Sequence, residues 1–309
     1  MRGWTPEEAL RLVDRAPVAA VLATPGFESV MRRHVENWLP RPDENRVLAA
    51  TMRDVGRLVS GIWATYLASS PGGLTLSRLA KLIEGTQLSS PGRARALLLY
   101  LRFLGYVEPI DDTDSDRRGR RYRTTDRLRA AFRERYRRDL AIYQDLDPSA
   151  RELADRIEDP AVFDAFAWAH GAFLAALYKL YAPDEPSLDL FSNRFSGMVL
   201  LGKLLLSGEP DDQFPPKRPL AFTVAGLARE AGISRTQVRR LLRDAEQAGF
   251  FHTAGEGRLR VTPWLVHNVQ YLAGSSAIIL IESARAALAY LEEAEPAASN
   301  RWALDERQA

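Results

Sequence analysis

The chain contains no cysteine among its 309 residues, and this absence excludes disulfide bonds, thiolate nucleophiles and cysteine-ligated zinc. Histidine is scarce, and the four imidazoles, at positions 34, 170, 252 and 267, do not have metal-ligand spacing. No phosphate-binding loop and no nucleophile–base pair is recognisable either. We therefore expect neither an enzyme nor a bound cofactor.

Net charge is also small, at +2, so the charge of the whole chain does not indicate a nucleic-acid partner. No signal peptide is indicated at the N-terminus. Two apolar stretches are candidate membrane spans, but Val162–Tyr181 contains three charged or polar residues, and Tyr271–Ile281 is too short for a bilayer. Both are interpreted as buried helices, which predicts a cytoplasmic protein without membrane association.

Most of the chain has apolar residues at helical spacing, in stretches such as Asn45–Ser69 and Leu188–Ser207. The predicted fold is mainly α with small β-hairpins, arranged with pseudo-two-fold symmetry. Four segments are predicted: a helical N-terminal extension (1–44), a first unit with its flanking helices (45–182), a second such unit (183–296) and a flexible tail (297–309). The breaks are rich in proline and acidic residues, as linkers commonly are.

An internal repeat relates the two units. Leu74-Thr75-Leu76 matches Phe222-Thr223-Val224, Gly105-Tyr106-Val107 matches Gly249-Phe250-Phe251, and similar apolar spacing lies between these matches. The first copy has a turn four residues longer and a hairpin seven residues longer, and surface loops tolerate such insertions. We call residues 74–125 the first repeat and residues 220–263 the second repeat.

The second repeat predicts a short strand at Ala221–Thr223, then helices Val224–Ala231 and Arg235–Ala248, then a short hairpin. Ser234 is in position to cap the second of these helices. This order of helix, turn, helix and hairpin is typical of a winged helix-turn-helix. The polar face and the hairpin supply the predicted DNA contacts, which are Arg235, Thr236, Gln237, Arg239, Arg240, Arg243 and Arg258.

The corresponding helix of the first repeat offers fewer groups that read bases. Arg93 and Arg95 begin it, but Ala96 and Leu99 stand where the second repeat has Arg240 and Arg243. Its hairpin is richer in arginine, which suits a hairpin that enters the minor groove. Alternatively, the neighbouring aspartates only neutralise the arginines on a solvated loop. The predicted contacts of this hairpin are Arg117, Arg118, Arg120 and Arg121.

This hairpin resembles the MarR family of bacterial regulators, whose signature is Asp-x-Arg, five residues, then Leu-Thr. Asp116 and Arg118 are followed at that distance by Thr124-Thr125, with threonine in place of leucine; the second repeat lacks the Asp-x-Arg part. The resemblance implies two winged helices fused in one chain, as a monomeric pseudo-dimer or a further homodimer. It also implies a small-molecule effector.

An effector pocket could be lined by an aromatic-rich helix, although an aromatic stripe of this kind is more often ordinary core. Its aromatic residues are Phe163, Phe166, Trp168, Phe173, Tyr178 and Tyr181.

Three functions remain open at this point. The first is a transcriptional regulator that binds double-stranded DNA sequence-specifically through two non-identical winged helices. The second is a tandem winged-helix replication initiator. The third is a protein-interaction scaffold without specific DNA binding, although proteins of that kind tend to have unbasic recognition helices, unlike Arg235–Arg243.

Overall fold

The structure is a computed structural model and describes residues 3–41, 55–84, 86, 91–110, 120–181, 187–255 and 257–305. Within these residues helices dominate, and the strands form one three-stranded and one two-stranded antiparallel sheet. The prediction of a mainly α fold with small hairpins is therefore confirmed.

The first part of the chain is helical except for a small sheet. Its elements, in order, are α1 (Pro6–Leu12), α2 (Arg15–Leu22), α3 (Phe27–Glu36), α4 (Val55–Ala68), β1 (Leu74–Thr75), α5 (Leu76–Ile83), α6 (Pro91–Phe103), β2 (Val107–Pro109), β3 (Arg121–Thr124), α7 (Asp126–Tyr143), α8 (Pro148–Arg156) and α9 (Pro160–Leu177). Asp147 and Asp159 cap the helices that begin at Pro148 and Pro160. Pro160 therefore begins a new helix after α8.

The second part continues with α10 (Asp189–Ser192), α11 (Gly197–Leu205), α12 (Val224–Ala231), α13 (Arg235–Gln247), β4 (Phe251–Thr253), β5 (Leu259–Val261) and α14 (Pro263–Asp305). Helix α14 passes position 297, where the flexible tail was predicted to begin. It contains the whole of the apolar stretch Tyr271–Ile281, which was interpreted as part of a buried helix.

Two local predictions were wrong. Leu188–Ser207 is not one helix, because the chain turns between α10 and α11. Ser196 there has a φ of +57°, and a Cβ atom on Gly197 would overlap the carbonyl oxygen of Phe191. The strand expected at Ala221–Thr223 is an isolated bridge between Leu220 and Leu259. The bridge depends on a contact distant in sequence, whereas the break at Ser196 and Gly197 is a local turn that the periodicity of apolar residues does not register.

The two repeats share hydrogen bonds as well as sequence. Thr125 Oγ1 donates to the Gly105 carbonyl at 2.8 Å, and Thr262 Oγ1 donates to the Gly249 carbonyl at 2.7 Å. Both glycines have a positive φ, +70° and +76°, at the end of the second helix of their repeat. The hairpin registers also correspond, since Val107 faces Thr124 as Phe251 faces Val261. The internal repeat is therefore present in the backbone as well as in the sequence.

One hydrophobic core extends through both halves of the chain, from Phe27 to Leu288. Helix α9 lies between α4 and α14. By length and composition, α9 and the 263–294 part of α14 are long and apolar enough to cross a membrane, and 72% and 61% of their most apolar windows are buried inside the fold. Such burial is what core helices of a globular domain show.

The N-terminal helices pack on this core. Trp4, which precedes α1, packs on Phe173 of α9, with ring centroids 4.9 Å apart. The Tyr271 hydroxyl of α14 donates to the Val13 carbonyl at 2.8 Å. Glu28 accepts a hydrogen bond from the Phe214 amide at 2.6 Å. The extension therefore connects the central helices to the loop that precedes the second repeat.

Candidate nucleic-acid interface

Helix α13 has one buried face and one cationic face. Val238, Leu241 and Ala245 are at most 3% exposed and hold the helix against the core. The residues of its outward face are exposed: Arg235, Thr236, Gln237, Arg239, Arg240, Arg243, Glu246 and Gln247. Among the described residues, Arg235, Arg239 and Arg240 make no ion pair. Three guanidinium groups on this face are thus available to an anionic partner.

The start of α13 is fixed by a capping box. Ser234 Oγ accepts a hydrogen bond from the Gln237 amide at 3.2 Å, and Gln237 Oε1 accepts one from the Ser234 amide at 2.9 Å. The predicted cap at Ser234 is confirmed. Gln237 Oε1 is already occupied by this cap, so in this arrangement the side chain offers a base only its Nε2 hydrogens. Gln237 is therefore a predicted contact that also stabilises the start of the helix.

Two contacts hold α13 in place from outside the helix. Arg194 Nη1, before α11, donates to Asp244 Oδ2 at 2.7 Å, and this hydrogen bond lowers the pKa of Asp244 below its usual value. Glu246 Oε1 accepts hydrogen bonds from the amide and the hydroxyl of Thr253 in the hairpin, at 3.1 and 2.6 Å. The helix and the hairpin are therefore joined as one surface.

The hairpin β4–β5 adds positive charge beside this helix. Arg258 and Arg260 are exposed, and His252 is exposed directly opposite Arg260 in the strand register. His252 was not among the contacts that the sequence predicted for this hairpin. The sequence pattern could have indicated His252, because residues on one face of a hairpin alternate along each strand and pair across the register.

The first repeat presents a different outward face. Arg93 and Arg95 are exposed on α6, as a DNA contact requires. Further along the same helix, however, Leu99, Tyr100 and Phe103 are 49%, 44% and 83% exposed. At the corresponding positions α13 has Arg243, Asp244 and Gln247. The outward face of α6 is therefore cationic at its start and carries an exposed apolar cluster over its second half, beside the exposed Arg102.

The first hairpin is described only in part. Arg120 and Arg121 are exposed where β3 begins, while Arg117 and Arg118, with the Asp-x-Arg signature, lie outside the described residues. Arg123 pairs with Glu108 across the two strands at 2.6 Å, which offsets its charge. Of the predicted contacts in this hairpin, two therefore have a described position.

Of the aromatic residues that were predicted as core or as a pocket wall, some lie in the core and others line a cavity. Phe163, Phe166 and Phe173 are at most 1% exposed and pack in the core. Tyr178 and Tyr181 line a central cavity.

Comparisons of the chain with protein-family models, with curated proteins and with solved structures give no match.

Proposed function

We propose that the protein is a transcriptional regulator that binds double-stranded DNA sequence-specifically, and that the second repeat is a winged helix. The observation that carries this proposal is the outward face of α13. Four arginines and Thr236 are exposed there on a helix whose opposite face is buried and whose start is capped. A rigid helix of this kind positions base-reading groups without further ordering.

The chemistry of this face matches the major groove of B-DNA, which admits an α-helix. Arginine can donate two hydrogen bonds to the O6 and N7 atoms of guanine, and this bidentate pairing distinguishes guanine from the other bases. Arg239 and Arg240, one turn after the cap, are assigned to bases. Arg258 and Arg260 of the hairpin are assigned to phosphates, which position the protein without reading sequence.

Binding to DNA fragments from upstream of the protein's own gene tests the proposal, with fluorescence anisotropy at salt concentrations from 50 to 200 mM. Arg239→Ala and Arg240→Ala should each weaken binding to the preferred fragment by about 1–3 kcal/mol, because each removes a bidentate contact to a base. Arg260→Ala should weaken binding to all fragments alike and lower the salt dependence by about one phosphate contact.

The matched control is Arg11→Ala, which removes the same charge from an exposed position on α1. It should bind as the unaltered chain does. If Arg239→Ala and Arg240→Ala both bind every fragment like this control, α13 does not read DNA and the proposal fails.

One observation supports a second candidate, protein docking by the first repeat. Phe103 is 83% exposed beside Leu99 and Tyr100, and an exposed apolar cluster of this kind is more typical of a protein interface than of a groove-reading helix. In this alternative α6 binds a protein while α13 binds DNA. Phe103→Ser would then leave DNA affinity unchanged and abolish the docking.

A further inference from the structure

Helix α6 has apolar residues on two opposite faces. The residues of its inner face are buried and hold it against the core: Ala94, Leu97, Leu98 and Leu101. Leu99, Tyr100 and Phe103 are exposed on the other side. Large apolar side chains that are exposed singly are common on protein surfaces, whereas a contiguous group of them indicates an interaction site. The outward face of α6 is therefore a candidate docking surface.

The exposed residues form a row at helical spacing. Ala96, Leu99 and Phe103 follow one another at intervals of three and four residues, so their side chains lie in one line along the helix. The distance between two packed helices depends on the size of the side chains at the contact. Because Ala96 is exposed and small, a second helix can approach closely at this point. The row therefore has the pattern by which one helix packs against another.

Two arginines border this row on one side. Arg95 precedes Leu99 by four residues and Arg102 follows it by three, so both are neighbours of Leu99 on the helix surface. Both are exposed, and neither makes an ion pair within the described residues. Their separation of seven residues is two helical turns, or about 10.5 Å along the helix axis. The apolar row is therefore accompanied by two cations that an acidic partner can reach.

The chemistry of this face favours a short acidic segment over other occupants. DNA phosphates could pair with the arginines but would leave Phe103, which is 83% exposed, in contact with water. A second copy of α6 would bring no countercharge, because the helix contains no acidic residue. Three large apolar side chains are also few beside the roughly 20–30 residues that each side of a stable interface between folded proteins contributes.

We propose that α6 binds an acidic amphipathic helix of another protein. Apolar residues of that helix cover Leu99 and Phe103, and two of its carboxylates, also two turns apart, pair with Arg95 and Arg102. Burial of the apolar row supplies most of the affinity, and the charged pairs fix the orientation of the partner. Such a helix is a specific partner for the protein docking of the second candidate function, on which this step rests.

The partner and DNA exclude each other at the first repeat, a consequence that rests on the proposed function. The major groove is about 12 Å wide and admits one helix, so α6 cannot enter it while a second helix covers its outward face. Arg95 is in addition a predicted DNA contact that the partner's carboxylate would occupy. The partner therefore releases the first repeat from DNA and leaves α13 in place.

The probe is a labelled alanine-based peptide of about 20 residues, which is long enough to be helical in water. It has leucines in a row at intervals of three and four residues, and glutamates on both sides of that row. A second peptide has lysine in place of glutamate, and a third has serine in place of leucine. Fluorescence anisotropy with the full chain should show saturable one-to-one binding of the glutamate peptide and at least about tenfold weaker binding of the other two.

Variants assign the binding to α6. Phe103→Ser should weaken binding of the glutamate peptide by about tenfold or more, because an aromatic residue at the centre of a contact carries much of the affinity. The matched control Leu180→Ser removes an exposed apolar residue outside α6 and should bind as the unaltered chain does. In the double variant Arg95→Glu and Arg102→Glu the preference should reverse, so that the lysine peptide binds more tightly. A reversed preference cannot arise from unfolding, and circular dichroism melting checks the fold of each variant.

Three results would overturn the docking of an acidic helix: no saturable binding, equal binding of the glutamate and lysine peptides, or unaltered binding by folded Phe103→Ser. Self-association of the full chain in sedimentation velocity that Phe103→Ser abolishes would identify a second copy as the occupant and would also overturn it.

The competition with DNA is measured separately. Saturating glutamate peptide should weaken binding of the unaltered chain to its preferred DNA fragment by about fivefold or more and should not affect the Phe103→Ser chain. An unchanged dissociation constant for DNA overturns the competition alone. If the peptide binds α6 and no DNA fragment binds, only the proposed function fails.

Discussion

His170 shows how one buried residue makes the stability of the whole protein depend on pH. It is 6% exposed and packs against the rings of Tyr136 and Phe166. Burial lowers its pKa from 6.5 to about 3. Between these values the unfolded chain binds a proton that the folded chain excludes, so stability present above pH 6.5 is lost as the pH falls.

The expected loss is about 1.4 kcal/mol per pH unit in the free energy of unfolding for each such histidine. His34 adds to it down to pH 4. Urea unfolding at pH 7.5, 6.0 and 5.0 measures this slope. His170→Phe should remove roughly half of the slope between pH 6.0 and 5.0, whatever its stability at pH 7.5, and His252→Ala should leave it unchanged. An unaltered slope in His170→Phe would contradict the prediction.

Single residues also show what the sequence could reveal of the candidate site. Ser234 was predictable as a cap because its partner Gln237 is three residues away and the motif is local. The polar face of α13 was predictable from its helical period. The cavity was not predictable, because His34 and His170 are far apart in sequence and line the same cavity only through the packing of α3, α7 and α9. Nothing local distinguishes them from ordinary core histidines.

At the level of elements, α6 and α13 hold corresponding places in the two repeats but differ in their outward chemistry. Helix α13 presents arginine where α6 presents Ala96 and Leu99. If both helices contact DNA, the two half-sites should differ in information content.

Selection of bound sequences from a random DNA pool measures this difference. We expect one half-site with strongly preferred bases, contacted by α13, and one with weak preferences, contacted by α6. In the Arg239→Ala chain the strong half-site should lose preference at one or two positions, while the weak half-site stays unchanged. A palindrome with equal halves would contradict the prediction.

The elements themselves were predicted well where their signals were local. The bounds of α12 and the start of α13 agree with the helical period, the threonine and serine caps, and Gly232. The errors fall where the periodicity of apolar residues is not a sufficient guide. The break between α10 and α11 is a tight local turn in which Gly197 approaches the Phe191 carbonyl, and the bridge from Leu220 depends on the distant Leu259.

At the scale of the whole molecule, the two halves share one core. Ile278 of α14 belongs to the same apolar cluster as Phe173 and Leu177 of α9, and α2 packs on α14 from the N-terminal side. The predicted boundary at 182/183 therefore separates the repeats in sequence without dividing the core. Each half alone would expose apolar surface that the other half buries.

This sharing predicts that a fragment of residues 187–309 does not fold independently. Size-exclusion chromatography should show aggregation, and thermal melting followed by circular dichroism should show no cooperative transition, because the inner face of α14 lacks its partner. The full chain is the control and should elute as a defined species with one transition. A monomeric fragment that melts cooperatively would contradict the prediction.

The presence of both repeats in one chain also has a genetic consequence. In a homodimer, each codon change alters both subunits, so a substitution useful in one is imposed on the other. Here a change at Leu99 leaves its counterpart Arg243 untouched. Each repeat can therefore accumulate mutations on its own, and one half can acquire a new partner while the other keeps the old one.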